Sequence, residues 1–242
     1  MNRLIAHRGD MSTYPENSML AFKSAVEMGF THVELDIQLS KDLVPIVIHD
    51  DNLNRTTDVD KYVWDLTADE INKIVVNSLT QNEKLNELLK IKTLKQVVNF
   101  LNDYSTITVF VEIKRQSVEH FGLSKVVDKV LEAQINAKFN VVIISFVDEV
   151  IEYVKKVRPY PTGFVLKKYN KKYLLKAEQL QPDYLFCNIK KVNKPSELWS
   201  GPWRWALYDI KNPTFAYELL EQGVDLIETG DVLKLSNSEY FQ

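Results

Sequence analysis

The stretch HVELDIQLSKDLVPIVIH, residues 32–49, decides the fold of this chain. It consists of two predicted strands, His32–Gln38 and Pro45–His49. Six residues separate these strands, whereas a helical crossover between parallel strands needs a dozen or more. The pair therefore favours a hairpin that turns near residues 40–42. Such a hairpin would place His49 directly across from Glu34.

Elsewhere in the chain, short β-branched segments alternate with longer amphipathic ones. The other predicted strands are Leu4–Ala6, Thr106–Lys114, Asn140–Phe146, Thr162–Leu166, Tyr184–Ile189, Trp205–Ile210 and Leu226–Thr229. Helical periodicity fits Ser18–Met28, Thr93–Asn102, Ser124–Gln134, Val147–Val157, Lys171–Gln181 and Pro213–Gln222. This alternation predicts βα units with a parallel sheet. A (β/α)₈ barrel has eight strands, and nine are predicted here. We therefore predict an α/β fold of the TIM-like (β/α)₈ barrel type with one irregular connection.

The length of 242 residues suits a single barrel domain over residues 1–242, although two small domains would also fit. The alternation breaks down between about residues 51 and 92, where the sequence is polar and charged. We interpret this segment as a small lid-like insertion after the third strand rather than a second domain. A long surface loop with two short helices accounts for its length equally well.

Composition excludes several classes of protein. The net charge of −3 argues against nucleic acid as the main partner, because phosphate backbones are bound by a concentrated basic face. No apolar run reaches the ~18 residues of a transmembrane segment. The N-terminal sequence shows no secretion signal, which predicts a cytoplasmic location. Cys187 is the only cysteine, so an internal disulfide and a thiolate metal cluster are excluded. The sequence leaves the oligomeric state open.

Acidic residues on two predicted strands suggest a metal site. Glu34 and Asp36 are two positions apart and therefore lie on one face of their strand. Two adjacent carboxylates are costly to bury, and a hard divalent cation offsets that cost. Glu112 and Lys114 repeat the spacing on another strand. The alternatives are a pair of solvated surface acids at Glu34 and Asp36 and an ordinary cross-strand Glu–Lys pair at Glu112 and Lys114.

Two of the four histidines, His7 and His49, end short apolar strands, where barrel enzymes place their chemistry. Two imidazoles beside a metal-bound phosphate can act as general base and general acid near neutral pH. Arg8 offers a forked donor for phosphate oxygens, and Gly9 allows the backbone to turn closely around a ligand. The other two histidines lack such a context and are interpreted as structural or exposed: His32 and His120.

The tripeptide Glu16-Asn17-Ser18 precedes a predicted helix and follows the first strand. Ser18 is a good N-cap candidate, and capping alone would account for the tripeptide. Its side chains could equally reach the site at the strand ends. The residues by themselves leave both interpretations open.

Taken in order, these segments resemble the glycerophosphodiester phosphodiesterase family, whose TIM-like barrel is related to that of phosphatidylinositol phospholipases C. The resemblance spans nearly the whole chain and is most specific over the first 57 residues. Its matching pieces are His7-Arg8-Gly9, Pro15–Ser18 with Ala21-Phe22, Ala25 and Gly29, Val33–Asp36, Ser40–Asp42, Pro45–Asp50 with Leu53, Arg55–Thr57, Thr93-Leu94, Val111–Lys114, Ser145-Phe146, Leu207–Ile210 and Gly223–Thr229.

The resemblance implies a hydrolase that releases sn-glycerol 3-phosphate and an alcohol from a small-molecule glycerophosphodiester. It implies Mg²⁺ or Ca²⁺ held by three carboxylates: Glu34, Asp36 and Glu112. It implies His7 and His49 as the general acid/base pair and Arg8 and Lys114 as phosphate contacts. Three further residues would lie in or beside the same pocket: Glu16, Asn17 and Asp50. The family also carries a small inserted subdomain after the His-Asp strand, which agrees with the excursion at 51–92.

This chain departs from the family pattern at two places that matter. Leu43-Val44 stand where the family usually has glycine, so a different turn is expected there. Asp209-Ile210-Lys211 replace the usual Thr-Val-Asn, which bears on substrate specificity more than on the chemistry. Two alternative functions follow: a related phosphodiesterase that acts on lysophospholipids or other glycerol-phosphate diesters, and a non-catalytic barrel that binds glycerophosphodiesters.

Overall fold

The computed structural model describes residues 2–76 and 82–241. Its strands are β1 (Leu4–Ala6), β2 (His32–Leu39), β3 (Pro45–Val47), β4 (Thr108–Ile113), β5 (Asn140–Ser145), β6 (Thr162–Val165), β7 (Tyr184–Asn188), β8 (Arg204–Tyr208) and β9 (Leu226–Thr229). Its α-helices are α1 (Met19–Glu27), α2 (Ala68–Ile71), α3 (Glu83–Leu89), α4 (Leu94–Leu101), α5 (Arg115–Phe121), α6 (Leu123–Ala133), α7 (Asp148–Val157), α8 (Lys171–Leu180), α9 (Pro213–Glu221) and α10 (Val232–Ser236). Short 3₁₀ turns span Leu53–Arg55, Val63–Asp65, Ile189–Lys191 and Pro195–Glu197.

Eight parallel strands close into a barrel in which β1 pairs with both β2 and β9. The predicted (β/α)₈ barrel is therefore confirmed, and β3 is the extra strand. Each predicted strand is present, and its ends differ from the observed ends by at most two residues. Helix α1 begins after Ser18, whose hydroxyl accepts the Ala21 N–H at 3.1 Å, as expected of an N-cap.

Strand β2 has different neighbours along its length. Its first two residues pair with β1, whereas its last three pair with the antiparallel β3. The predicted hairpin exists, but its register differs by one residue. Leu39 lies opposite Pro45, so the turn holds residues 40–44 and centres on Asp42. The pairing ends with a hydrogen bond from the Ile48 N–H to the Asp36 carbonyl. The prediction that His49 lies directly across from Glu34 is therefore wrong.

The turn between β2 and β3 contains an unusual leucine. Leu43 adopts a φ of 62°, in the left-handed region that favours glycine. Hydrogen bonds hold this conformation, from the Leu43 N–H to the Ser40 carbonyl at 2.9 Å and from the Ser40 N–H to the Val44 carbonyl at 3.0 Å. Where the family usually places glycine, this chain makes a left-handed turn with a leucine.

Side chains of the strands alternate between two apolar layers. Val33, Leu35 and Ile37 of β2 face outward and pack against the surrounding helices. A smaller apolar cluster fills the barrel interior: Ile5, Phe110, Val142, Ile144, Val165, Phe186, Ala206 and Leu226. Because side chains alternate along a strand, Glu34 and Asp36 point into the barrel with this inner cluster. The apolar interior thus forms the floor beneath the charged residues.

Segment 51–92 contains two 3₁₀ turns and the helices α2 and α3. Its apolar side chains, such as Leu53, Val63 and Ile71, form one cluster with Leu20 and Ile46 of the barrel. We propose that the segment is an insertion in a single barrel domain, because its apolar cluster includes side chains of the barrel.

Among residues 2–76 and 82–241, no helix has the length and apolar character needed to cross a bilayer. The cytoplasmic location stays a prediction.

Candidate active site

Three buried carboxylates meet at the carboxyl end of the barrel. Glu34 and Asp36 come from β2, and Glu112 comes from the adjacent strand β4, where it is the register partner of Asp36. One oxygen from each carboxylate lies within 4.8 Å of the other two. All three side chains are buried. The structure thus brings together the three residues that the sequence suggested as metal ligands.

Two cations compensate part of this negative charge. The Lys114 Nζ lies 3.2 Å from Asp36 Oδ1 and 2.8 Å from Glu112 Oε1, and the Arg8 Nε lies 3.0 Å from Asp36 Oδ2. Burial raises the pKa of Asp36, but Lys114 and Arg8 outweigh it and lower that pKa overall. Burial lowers the pKa of Lys114, but Asp36 and Glu112 raise it overall. Asp36 is therefore ionised and Lys114 protonated at neutral pH.

Glu34 lacks such compensation. Its Oε2 accepts the Arg8 N–H at 3.1 Å, but its buried Oε1 has no hydrogen-bond partner among the described residues. Burial and the charge of Asp36 raise the pKa of Glu34 well above its usual value. Burial also raises the pKa of Glu112, although Lys114 opposes this. An unpaired carboxylate oxygen beside two other acids is the kind of oxygen ligand set that a hard divalent cation prefers.

The residues therefore fit a divalent cation. A fourth buried acid, Glu228 of β9, faces the same site, and burial together with Glu112 raises its pKa. Among the described residues, four acids then face two permanent cations, Arg8 and Lys114. A second group of possible ligands, His7, Glu34 and Glu228, shares Glu34 with the first group.

The loop after β1 places Arg8 against these acids through unusual backbone conformations. Arg8, Gly9 and Asn17 have φ values of 56°, 78° and 58°. Gly9 is needed because a Cβ at this position would lie 2.6 Å from the Ala21 carbonyl carbon. Asn17 then donates from Nδ2 to Asp36 Oδ2 at 2.9 Å and accepts the Asp36 N–H at 3.3 Å. These contacts hold the loop and the carboxylate in one arrangement.

The two strand-end histidines follow β1 and β3, and both line the cavity of the site. His7 Nε2 lies 3.3 Å from Glu228 Oε1 and 3.9 Å from Glu34 Oε2. The His7 side chain is 27% exposed, so most of the ring is shielded from solvent. Burial, together with Arg8, lowers the pKa of His7 to about 4.

His49 Nδ1 lies 2.5 Å from Asp50 Oδ1. Since an ionised carboxylate can only accept, His49 donates from Nδ1, which leaves its Nε2 available for chemistry.

A cavity of about 150 Å³ joins these groups. It is lined by His7, Arg8, Glu34, His49, Glu112, Lys114, Ile144, Phe146, Val165, Phe186, Tyr208 and Glu228. Asp36 lies behind this lining, bound by Asn17, Arg8 and Lys114. Glu16 and Asn17 border a small neighbouring cavity together with His49. Asp50 contacts His49, and Glu16, Asn17 and Asp50 are not among the residues that line the cavity of about 150 Å³.

A larger outer cavity of about 590 Å³ adjoins the first, and the two share His7 and Tyr208. Its other lining residues are Met11, Ser12, Asn188, Asp209, Lys211, Gly230 and Asp231. Asp209 has a φ of 69°, and its Oδ2 lies 2.6 Å from Lys190 Nζ. Two of the three residues at the departure from the family pattern, Asp209 and Lys211, thus border the space next to the charged site.

Comparison with known proteins identifies the family. The family model described as the glycerophosphoryl diester phosphodiesterase family matches residues 7–233. The chain belongs to the glycerophosphoryl diester phosphodiesterase family. This confirms the resemblance seen in the motifs, and with it the prediction that the chain is a phosphoric diester hydrolase.

Relatives and solved structures agree with this family assignment. A glycerophosphodiester phosphodiesterase of Caldanaerobacter subterraneus subsp. tengcongensis is 31% identical over 97% of this chain and 96% of its own length. A glycerophosphodiester phosphodiesterase from Thermotoga maritima shares the fold with a TM-score of 0.75 at 24% identity, over 97% of this chain and 96% of that one.

A phosphodiesterase of Oleispira antarctica also shares the fold, with a TM-score of 0.85 at 21% identity, over 97% of this chain and 95% of that one. That structure holds the product sn-glycerol-3-phosphate.

Sequence reasoning gave no role to Glu228 or Tyr208 of this family member, although both line the cavity. Glu228 lies within the motif Gly223–Thr229, and the alternation along β9 could have shown that it points inward like the other strand-end acids. The two remaining histidines lie outside the cavity, as expected. His32 stacks on Phe110 with ring centroids 6.1 Å apart, and His120 is exposed and stacks on Trp64 at 4.4 Å.

Proposed function

We propose that this member of the family hydrolyses glycerophosphodiesters to sn-glycerol 3-phosphate and an alcohol, with Mg²⁺ or Ca²⁺ as the required ion. The proposal is carried by a cavity of about 150 Å³ that is lined by two histidines, two cations and the carboxylates of Glu34 and Glu112, with Asp36 directly behind them. A structural role alone would not account for so many charges at the end of a barrel, because clustered buried charges are costly without a ligand.

Glu34, Asp36 and Glu112 would hold the divalent cation. The unpartnered Oε1 of Glu34 supports this, because a bound cation would satisfy it. The cation would supply electrostatic stabilisation of the charge that develops on the phosphate oxygens. Asn17 and Lys114 keep Asp36 in place through contacts of 2.9 and 3.2 Å.

Arg8 and Lys114 would bind the non-bridging oxygens of the phosphodiester, since both side chains line the cavity. One histidine would take the proton of the nucleophile, which is either water or the neighbouring glycerol hydroxyl in a route through a cyclic intermediate. The other would protonate the leaving alcohol oxygen. His7 and His49 are assigned to these two roles as a pair, because both imidazoles line the cavity.

The lining of the outer cavity supports a proposal about the class of substrate. Besides the shared His7 and Tyr208, five of its lining residues are polar or charged: Ser12, Asn188, Asp209, Lys211 and Asp231. A choline, ethanolamine or glycerol group suits such walls, whereas the acyl chain of a lysophospholipid would need an apolar channel. We therefore favour small water-soluble diesters over lysophospholipids as substrates.

The test measures release of sn-glycerol 3-phosphate from glycerophosphodiesters with choline, ethanolamine or glycerol ends, and release of choline from a lysophosphatidylcholine. Each substrate is assayed with Mg²⁺, with Ca²⁺ and with EDTA. The proposal predicts turnover of the water-soluble diesters that depends on the metal. Binding of the diesters without turnover under all metal conditions would instead support the non-catalytic barrel.

A further inference from the structure

One exposed arginine of segment 51–92 contacts two carboxylates that are hydrogen-bonded to groups of the proposed active site. Arg55 ends the 3₁₀ turn Leu53–Arg55. Its Nη1 donates to Glu16 Oε2 at 2.9 Å, and its Nη2 donates to Glu16 Oε1 at 2.6 Å. Its Nε donates to Asp50 Oδ2. The guanidinium therefore binds Glu16 at two points and Asp50 at a third.

Each of these carboxylates has a second partner in the candidate active site. Glu16 Oε1 also accepts from Arg8 Nη1 at 3.0 Å. Asp50 Oδ1 is 2.5 Å from His49 Nδ1. Two hydrogen-bonded chains thus start at Arg55: one reaches Arg8 through Glu16, and the other reaches His49 through Asp50.

The charges along both chains are consistent with fixed donor and acceptor roles. Burial raises the pKa of Glu16, but the hydrogen bonds from Arg55 and the charge of Arg8 lower it overall. Burial raises the pKa of Asp50, but its hydrogen bonds to Arg55 and His49 lower it overall. Both groups are therefore ionised acceptors, and His49 must donate from Nδ1.

We propose that Arg55 is a positioning residue, which fixes Glu16 and Asp50 so that these orient Arg8 and His49 for the reaction. This inference rests on the proposed function, because it takes Arg8 and His49 as working groups. Arg55 does not line the cavity and is about half exposed, 48%, so its effect passes through the two carboxylates. It also makes the activity depend on segment 51–92, which supplies the arginine.

The competing explanation is a surface ion-pair network that only attaches segment 51–92 to the barrel. Exposed ion pairs contribute little to stability, so such a network would have small effects of any kind. A positioning role makes a different prediction, because groups that orient catalytic side chains typically change activity by about 10- to 100-fold. The two explanations separate when turnover and stability are measured on the same variants.

The first experiment compares Arg55→Ala and Arg55→Lys with the wild-type protein. Arg158→Ala is the matched control, because Arg158 is exposed at the end of α7, away from the cavity. We expect Arg55→Ala to lower kcat about 10- to 100-fold with a melting temperature close to that of the wild type. Arg55→Lys should recover only part of kcat, because an ammonium cannot bind both carboxylates as a planar fork does. Millimolar guanidinium, but not sodium at equal ionic strength, should partly restore Arg55→Ala.

A second experiment tests the route through the carboxylates. In the double variant Glu16→Gln/Asp50→Asn, adding Arg55→Ala should change kcat by less than about twofold, because the groups that Arg55 positions are already gone. If Arg55→Ala lowered kcat in that background by as much as it does in the wild type, the proposal would be overturned.

A third measurement does not depend on turnover. In NMR spectra of the histidine rings, the Nδ1–H signal of His49 should be protected from exchange in the wild type and lose protection in Arg55→Ala. An unchanged signal, or a wild-type kcat for Arg55→Ala, would overturn the positioning role. If the wild type itself released no glycerol 3-phosphate, the proposed function would fail, while the NMR result would still decide whether Arg55 fixes His49.

Discussion

Asp36 and Glu112 are register partners on adjacent parallel strands, and the Lys114 ammonium lies between them, 3.2 Å from Asp36 Oδ1 and 2.8 Å from Glu112 Oε1. This arrangement offsets the repulsion between two buried acids without using Glu34. Within the described part of the chain, Oε1 of the third carboxylate, Glu34, has no hydrogen-bond partner, so this residue gives the clearest test of the proposed metal site.

Replacing Glu34 by Gln should separate metal binding from folding. In EDTA we expect the variant to gain about 1 to 3 kcal/mol in free energy of unfolding, because a buried, unsatisfied carboxylate is removed. Saturating Mg²⁺ or Ca²⁺ should raise the melting temperature of the wild type, since a ligand at 100 times its Kd adds about 2.7 kcal/mol. The variant should show no such shift.

Glu119→Gln is the control for this experiment, because Glu119 is exposed on α5 and pairs with Arg115. Its response to metal should match that of the wild type. An equal metal-dependent shift in Glu34→Gln would exclude Glu34 as a ligand.

Replacing Lys114 by Met should have the opposite effect on stability. The change leaves Asp36 and Glu112 buried side by side without their cation, which typically costs about 3 to 5 kcal/mol. Urea unfolding in EDTA measures this loss, and added Mg²⁺ or Ca²⁺ should recover part of it. Lys125→Met, at an exposed position of α6, is expected to change the free energy of unfolding by less than about 0.5 kcal/mol. Equal effects of the two substitutions would contradict the role of Lys114 in compensating these acids.

The two cavity histidines should each be needed for turnover. We expect His7→Ala and His49→Ala to lower kcat by at least ~100-fold, the typical effect of losing a general acid or base. His120→Ala, which removes an exposed histidine outside the cavity, should keep wild-type kcat. Rates near the wild type in both cavity variants would rule out the two-histidine mechanism.

Gly9 and Gly223 provide a matched test of the loop that carries His7 and Arg8. Both have a positive φ, 78° and 99°, so an alanine at either position strains the backbone. Only at Gly9 does the added Cβ clash with a neighbour, at 2.6 Å from Ala21. Gly9→Ala should therefore cost about 1 to 3 kcal/mol more than Gly223→Ala in urea unfolding. Only Gly9→Ala should also lower kcat; equal losses would mean that the close approach to Ala21 does not matter.

Much of the fold follows from local features of the sequence. The six residues between the strands of segment 32–49 are too few for a helix, and this required a hairpin and a ninth strand. The predicted register was off by one residue because the length of the turn depends on the left-handed Leu43, which the sequence pattern does not indicate. Helix α5 was not predicted because its buried residue is polar: Ser117 donates to Gln38 Oε1 at 2.6 Å and accepts the Leu39 N–H at 2.9 Å.

The sequence by itself determined that Glu34 and Asp36 share a face and that His7 and His49 end their strands, because side-chain alternation and strand length are local properties. Only the tertiary structure decided which charges meet. Closure of the barrel through β1 and β9 brings Glu228 within 3.3 Å of His7, and segment 51–92 folds back so that Arg55 reaches Glu16. These contacts join residues that are far apart in the chain. Their distances depend on the packing of the whole barrel, and a local sequence pattern carries no information about that packing.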